Sequence, residues 1–328
     1  MVKPLVAIGR FTAVSETNTY NVGESVGGGS YCRVYLAVYN TIPAVVKIYI
    51  HDTGFEREKF ALTRITAYQR QHGLSLCPEL FDVGIAKDRA NTLNFLLVAR
   101  LGPTLSAVTQ KIVQFTEHTV LKIALRSLEN LRGIHQVMMV IKDVKADNYC
   151  FTELYADRLF EVMCCDYSLS AAYEAEDFIG APDVPQLETY VTKRVSGTFQ
   201  FSPRASHFEI GSQLPYDDME SWFYMIYHLA REPRYLEDKG FHTVNDKYHF
   251  WSPDHLHINL LDEMFVFMKK IRRNQLFPYD EMIKIINDKI NSLSYKDPTN
   301  LPYAIHHDRY FPNTMKSFGR NLTMCLRR

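Results

Sequence analysis

Three residue types suited to moving a phosphoryl group stand close together in Asp143-Val144-Lys145-Ala146-Asp147-Asn148. A carboxylate such as Asp143 can accept a hydroxyl proton, a lysine such as Lys145 can neutralise a terminal phosphate, and the amide oxygen of Asn148 can hold a metal ion. Further along, the apolar run Met163-Cys164-Cys165 delivers one aspartate, Asp166, as a magnesium ligand bridging two phosphates would require. Upstream, Lys47 is the one charge inside the stretch AVVKIYI. It is either an edge-strand lysine reaching solvent or a lysine aimed at phosphate oxygens and held by a helix carboxylate, for which Glu58 is the candidate. Earlier still, Gly27-Gly28-Gly29 opens a turn whose backbone N–H groups can approach phosphate with no Cβ in the way. Alone, that motif also fits an ordinary glycine-rich hairpin. It leads into a strand, which argues against a dinucleotide-binding unit, and no Gly-Lys-Ser/Thr sequence supports a Walker loop.

Two kinds of structure must bring these residues together. Val34–Asn40, Ala44–Ile50 and Asn94–Leu101 are compact, rich in branched and aromatic residues, and bounded by turn formers, which predicts strands. Between the second and third, Phe55–Gln71 has helical spacing, with Phe55, Leu62, Ile65 and Tyr68 on one face and Gly73 as a stop. After Leu101-Gly102-Pro103 the texture changes. Thr119–Gln136 predicts an amphipathic helix carrying Leu121, Ala124, Leu125, Leu128 and Leu131 on one side. Asp217–Arg231 is nearly all apolar after an acidic start, as a buried helix would be, and 261–273 and 280–293 predict two more helices. A strand-rich part, a break near Gly102 and a helical part predict two lobes, with a cleft as the ligand site.

Composition narrows the class. With 328 residues the chain can bury a substantial core. The 37 basic residues balance 37 acidic ones, so no global field draws the chain to nucleic acid or membrane. The six cysteines include no C-x-x-C pair, and reduced thiols in an intracellular protein are expected. The opening MVKPLVAIGRFTAV has too short an apolar run for a secretion signal, and no apolar stretch approaches ~18 residues. A cytoplasmic or nuclear monomer without membrane or nucleic-acid partners is expected.

In chain order, Gly27/Gly29, Lys47, Glu58, Asp143/Lys145/Asn148, Asp166 and Asp218 resemble the protein kinase set. The segments LGPTLSAV, DVKADNYCF and GTFQFSPRASH, the last followed by DDMESWFYMIYHL, resemble the casein kinase I group, and within it the tau-tubulin kinase branch most. The likeness covers roughly residues 20 to 290. It implies an α+β, bilobal kinase-like fold. A small β-rich N-lobe would span about 20–101 and a larger helical C-lobe about 102–300, after an extension at 1–19 and before a tail at 301–328. It also implies transfer of the γ-phosphate of Mg·ATP to a serine or threonine of a protein substrate. Gly27 and Gly29 would cover the phosphates beside Val34, Lys47 would contact the α- and β-phosphates, and Glu58 would hold Lys47. Val98 would be the gatekeeper, with Ala99 to Leu101 as the adenine-binding hinge. Asp143 would be the catalytic base, Lys145 the γ-phosphate contact, and Asn148 and Asp166 the metal ligands. Thr198 would bond near Asp143 and Lys145, and Asp218 would accept backbone N–H groups of the catalytic loop.

Several positions depart from the family pattern. The third loop glycine is Cys32, the usual His-Arg before the catalytic aspartate is Ile141-Lys142, and Asp-Phe-Gly is Asp166-Tyr167-Ser168. Ile141 could fill the slot of the histidine ring, whereas Lys142 cannot make an arginine's bidentate phosphate contact. Tyr167 needs a partner for its hydroxyl, and Ser168 removes glycine's backbone freedom beside Asp166. These changes keep a second reading open, a pseudokinase that uses the fold as a scaffold or binding module. Where the family carries basic residues for acidic or primed substrates, this chain has Gln200 and Pro215-Tyr216, with Lys193 and Arg194 as partial substitutes. A weakened preference for such substrates is expected.

Overall fold

The computed structural model describes residues 11–88, 91–110, 115–152, 161–184, 195, 197–208, 211–231, 241–252 and 259–293. Lys193, Arg194 and the segment 301–328 lie outside the described residues. Among the described residues, seven strands form one antiparallel sheet. They are β1 (Thr12–Val14), β2 (Thr19–Asn21), β3 (Ser25–Gly28), β4 (Cys32–Tyr39), β5 (Ile42–Tyr49), β6 (Leu80–Lys87) and β7 (Thr92–Ala99), in the order β2-β1-β6-β7-β5-β4-β3. The three strands expected from sequence are β4, β5 and β7. β1, β2 and β6 carry polar residues or are too short for a clear pattern. β1 pairs with β6, so the sheet begins ahead of the boundary expected at residue 20. β7 ends at Ala99, short of the expected Leu101, because the Arg100 N–H turns to the Pro43 carbonyl and Gly102 N–H to that of Phe151.

Strand alternation decides which way Lys47 points. Ala44, Val46 and Ile48 of β5 pack in a small core with Phe11, Tyr35, Phe95 and Leu97. Successive side chains alternate, so Val45, Lys47 and Tyr49 face the other side. There α1 (Asp52–His72) lies, burying Phe55, Ala61, Leu62 and Ile65 before Gly73 ends it. Lys47 is therefore directed into the protein, not to solvent.

Beyond the sheet, the α-helices among the described residues are α2 (Leu105–Thr109), α3 (Glu117–Gln136), α4 (Pro215–Ala230), α5 (Val244–Phe250), α6 (Asp262–Met268) and α7 (Tyr279–Ser292). Thr116 caps α3 by accepting the Thr119 N–H at 3.2 Å. Leu121, Leu128 and Leu131 on its apolar face are fully buried, each stabilising the fold by about 2 kcal/mol. Two short hairpins carry the loops that follow, β8 (Met139–Val140) with β11 (Ala171–Ala172), and β9 (Tyr149–Phe151) with β10 (Val162–Cys164). The helix expected over 261–273 stops at Met268. Beyond it the chain unwinds so that Arg273, 1% exposed, reaches the Asp217 carboxylate and the carbonyls of Pro182 and Ser212. A buried guanidinium needs that many partners to offset its desolvation.

Candidate active site

On the inner face of the sheet, Val34, Lys47 and Leu96 stand opposite one another on three adjacent strands. The Lys47 ammonium donates to Glu58 of α1 and, at 3.2 Å, to the carbonyl of Cys165. The Tyr49 hydroxyl donates to the second oxygen of Glu58 at 2.6 Å. Burial alone would pull the Lys47 pKa down. The negative charges of Glu58 and Asp166 outweigh that and raise it well above its ordinary value, so Lys47 stays charged. Tyr49 was not singled out from sequence, although its position two residues after Lys47 on the same strand face was the available signal.

The loop 141–148 hangs from Asp218 near the start of α4. Its carboxylate accepts the N–H of Ile141 at 2.6 Å and of Lys142 at 2.9 Å. His135, at the end of α3, lies 3.0 Å from the same carboxylate and pairs with the Tyr279 hydroxyl on its other side. Lys142 has φ of 70°, a left-handed backbone that costs a non-glycine residue of order 1 kcal/mol or more. The two bonds to Asp218 hold it there. Ile141 is fully buried in the main core, while His135 contributes an imidazole from a different element, a placement that no local pattern announces.

Asp143, Lys145, Asn148 and Thr198 converge. The Lys145 ammonium is 2.7 Å from the Asp143 carboxylate and donates to the Thr198 hydroxyl at 2.6 Å. The Thr198 N–H donates to Asp143 at 3.0 Å. Asn148 gives its amide N–H groups to the Asp143 carbonyl and carboxylate at 2.9 and 3.1 Å. Gly197 has φ of 100°, and a Cβ there would sit 3.0 Å from the Asp143 carboxylate. Only glycine lets the Thr198 segment approach so closely.

Asp166 follows the Cys165 carbonyl that Lys47 grips. Burial would raise its pKa, but the Lys47 charge and the Ser168 N–H, at 2.9 Å, hold the carboxyl below its ordinary value. Ser168 has no left-handed backbone, so a side chain stands there without strain, and its N–H serves Asp166 as a glycine's would. Tyr167 is buried, and its hydroxyl reaches the Leu76 carbonyl at 3.4 Å. Cys32 lies in the core with Tyr49 and Phe55, and burial pushes its thiol up to about 12.

The donor set suits magnesium. No group of three His, Cys, Asp or Glu that could cage an ion occurs among the described residues. Magnesium is ordinarily held by one or two carboxylates plus substrate phosphate. The ionised Asp166 and the oxygen of Asn148, whose amide nitrogen is committed to Asp143, fit that pattern. Nearby, the N–H groups of Ala99, Arg100 and Gly102 are taken by Glu79, Pro43 and Phe151 carbonyls. The Leu101 N–H between them bonds to none of the described residues. Val98, buried, sits opposite Val45. In the glycine turn, a Cβ on Gly27 or Gly29 would meet nothing, whereas one on Gly28 would strike Arg33 and the Cys32 carbonyl, both at 2.8 Å. The glycine crowded by the protein itself is thus Gly28, and Gly27 and Gly29 border open space.

The segment after Thr198 is anchored from below. Lys247 of α5, fully buried, donates to the Phe199 and Ser202 carbonyls and to the Ser202 hydroxyl. Arg204 forms a buried pair with Glu220 of α4 at 2.9 Å. Tyr216 is buried and Gln200 exposed.

No protein-family model matches the chain. Over 158 residues it is 27% identical to the putative serine/threonine-protein kinase ZK507.1 of Caenorhabditis elegans, covering 47% of this chain and 44% of that protein. Over 207 residues it is 26% identical to the serine/threonine-protein kinase VRK2 of Homo sapiens, covering 58% and 39%. Both relatives are named as protein kinases. The chain spans less than half the length of each, and its order of antiparallel sheet then helices fits a kinase-like α+β fold. No helix among the described residues is long and apolar enough to cross a membrane.

Proposed function

We propose that this chain is a protein serine/threonine kinase, of the casein kinase I group and nearest its tau-tubulin kinase branch, with the sheet and helical regions as its two lobes. The observation that carries the reading is the Asp143 carboxylate bracketed by Lys145, the Thr198 N–H and Asn148. A carboxylate held this way is aimed, not free to rotate, which is what a base positioned for one hydroxyl needs. As the substrate oxygen bonds to the γ-phosphorus and the bond to the ADP oxygen breaks, Asp143 takes the hydroxyl proton and Lys145 faces the charge on the moving group. Lys47 holds the remaining phosphates, and the Leu101 backbone offers the adenine edge a donor. Asp166 and Asn148 are the residues for magnesium, which when bound neutralises phosphate charge. Lys145 beside the base supports Ser/Thr over tyrosine substrates.

The test is transfer from γ-labelled ATP with magnesium to a casein, tau and tubulin panel, with Asp143→Asn in parallel. Transfer is expected from the wild type and should fall by about 10²–10⁴-fold in the variant, with an unchanged melting temperature. A folded wild type that binds nucleotide but labels nothing would make the chain a regulatory binding module instead.

A further inference from the structure

None of the described cysteines is disulfide-bonded, and they differ in access. Cys32, Cys77, Cys150 and Cys164 are buried, and Cys165 is partly exposed. Cys150 on β9 stands opposite Met163 of β10, and the pairing continues past the strand end through the Cys165 N–H, which donates to the Asn148 carbonyl at 2.9 Å. Alternation then puts Met163 and Cys165 on the face that Cys150 occupies. The backbone register thus makes Cys150 and Cys165 diagonal neighbours on one face of the hairpin. Cys164 falls on the opposite face, where its thiol reaches the Asp166 carbonyl at 3.3 Å. An accessible thiol beside a sheltered one is the arrangement of a reacting cysteine and its resolving partner.

We propose that Cys150 and Cys165 are a modification site, a thiol pair that hydroperoxides convert to a disulfide. The Cys165 sulfur attacks the peroxide oxygen, the O–O bond breaks, and Cys165 becomes a sulfenic acid as water or alcohol leaves. The Cys150 sulfur then attacks the Cys165 sulfur, the S–O bond breaks, and a second water carries away the Cys150 proton. The peroxide is reduced by the two electrons that the thiols lose on forming the S–S bond.

The location gives the cross-link a consequence. Diagonal neighbours across two antiparallel strands hold their Cβ atoms up to about 7 Å apart, whereas a disulfide draws them to about 4 Å. Cys150 is fixed within β9, while Cys165 lies just beyond the end of β10. Cys165 therefore does most of the moving. It takes with it the carbonyl that Lys47 grips and the adjoining Asp166. Oxidation thus disturbs the phosphate and metal groups together. This consequence rests on the Mg·ATP reading of the site; the cross-link itself does not.

The full chain treated with hydrogen peroxide, digested without reductant and measured by mass spectrometry should yield a Cys150–Cys165 peptide pair lacking two hydrogen atoms. Dithiothreitol should separate it. Cys165→Ser should abolish it, and Cys150→Ser should leave a sulfenic acid at Cys165 that dimedone traps. A wild type in which Cys165 stays a thiol, ends as a sulfenic or sulfinic acid without linking to Cys150, or links to another cysteine overturns the proposal. In a parallel titration with a fluorescent ATP analogue and magnesium, peroxide should weaken wild-type binding by about tenfold or more, the scale of cost for an ångström-level misplacement. Cys150→Ser should no longer respond. A cross-link in a protein whose reduced form binds no nucleotide would uphold the thiol pair and refute the Mg·ATP reading.

Discussion

From Gly23 to Ser30 every residue of the glycine hairpin is exposed, whereas between Met139 and Asn148 only Asp147 is. The hairpin is held by its backbone ladder, by the Gly29 N–H on the Cys32 carbonyl at 3.0 Å and by the Arg33 guanidinium on the Gly29 carbonyl at 2.5 Å. The loop 141–148 is held by Asp218, which His135 fixes in turn, by the N–H and hydroxyl of Thr198, and by the core into which its own Ile141 and Val144 pack. One region can yield locally, since few buried contacts oppose its opening. The other cannot move without breaking bonds in several elements. The proposed kinase would have to admit and release a nucleotide yet aim one carboxylate, and the molecule separates those two behaviours in space.

The comparison breaks most sharply at Asp218. Asp218→Ala leaves the buried N–H groups of Ile141 and Lys142 without an acceptor, each costing about 1–3 kcal/mol, and frees a left-handed Lys142. A fall in melting temperature of several degrees and loss of label transfer to background are expected. Unchanged stability would mean that the loop is held by its core packing alone. Gly197→Ala should give a smaller and more selective effect. Its Cβ presses on the Asp143 carboxylate from a backbone of φ 100°, so kcat should drop by about 10²-fold while nucleotide affinity, measured by fluorescence titration, stays near wild type. A change in affinity with kcat intact would place Gly197 on the nucleotide side of the site.

The smallest effects fall on the hairpin, where two neighbouring glycines should part company. Gly28→Ala meets the Cys32 carbonyl at 2.8 Å and should lower stability by about 1 kcal/mol in thermal unfolding, because exposed backbone can relax. Gly27→Ala meets no protein atom within 4 Å and should leave stability within about 0.5 kcal/mol of wild type, while weakening ATP-analogue binding. Equal effects of the two on binding and on stability would show that the hairpin does not cover phosphate.

Much of the site was legible as chemistry in a line. A single lysine within AVVKIYI has to face one side of a sheet, and period two assigns it the side of Val45 and Tyr49. Glu58 falls on a helical face with Leu62 and Ile65, so its meeting with Lys47 follows once the helix packs on that side. Asp143, Lys145 and Asn148 share one loop, and their spacing carries most of their arrangement. Local sequence also marked the strands around Lys47 and the long helices, because those segments repeat their apolar residues with a clear period.

What lay beyond the sequence were encounters between elements far apart in the chain. Nothing near His135 announces Asp218, and nothing in 269–273 says that Arg273 must leave a helix to neutralise Asp217. Spacing could not tell that a left-handed Gly197 lies against Asp143, that Gly28 is the crowded glycine, or that Ser168 supports Asp166. Nor could it bring Cys150 and Cys165 onto one hairpin face. Periodicity fixes which way a residue points within its own element. Which charge, ring or thiol it then meets depends on how the elements pack, and burial makes those meetings obligatory because a buried polar group must find a partner.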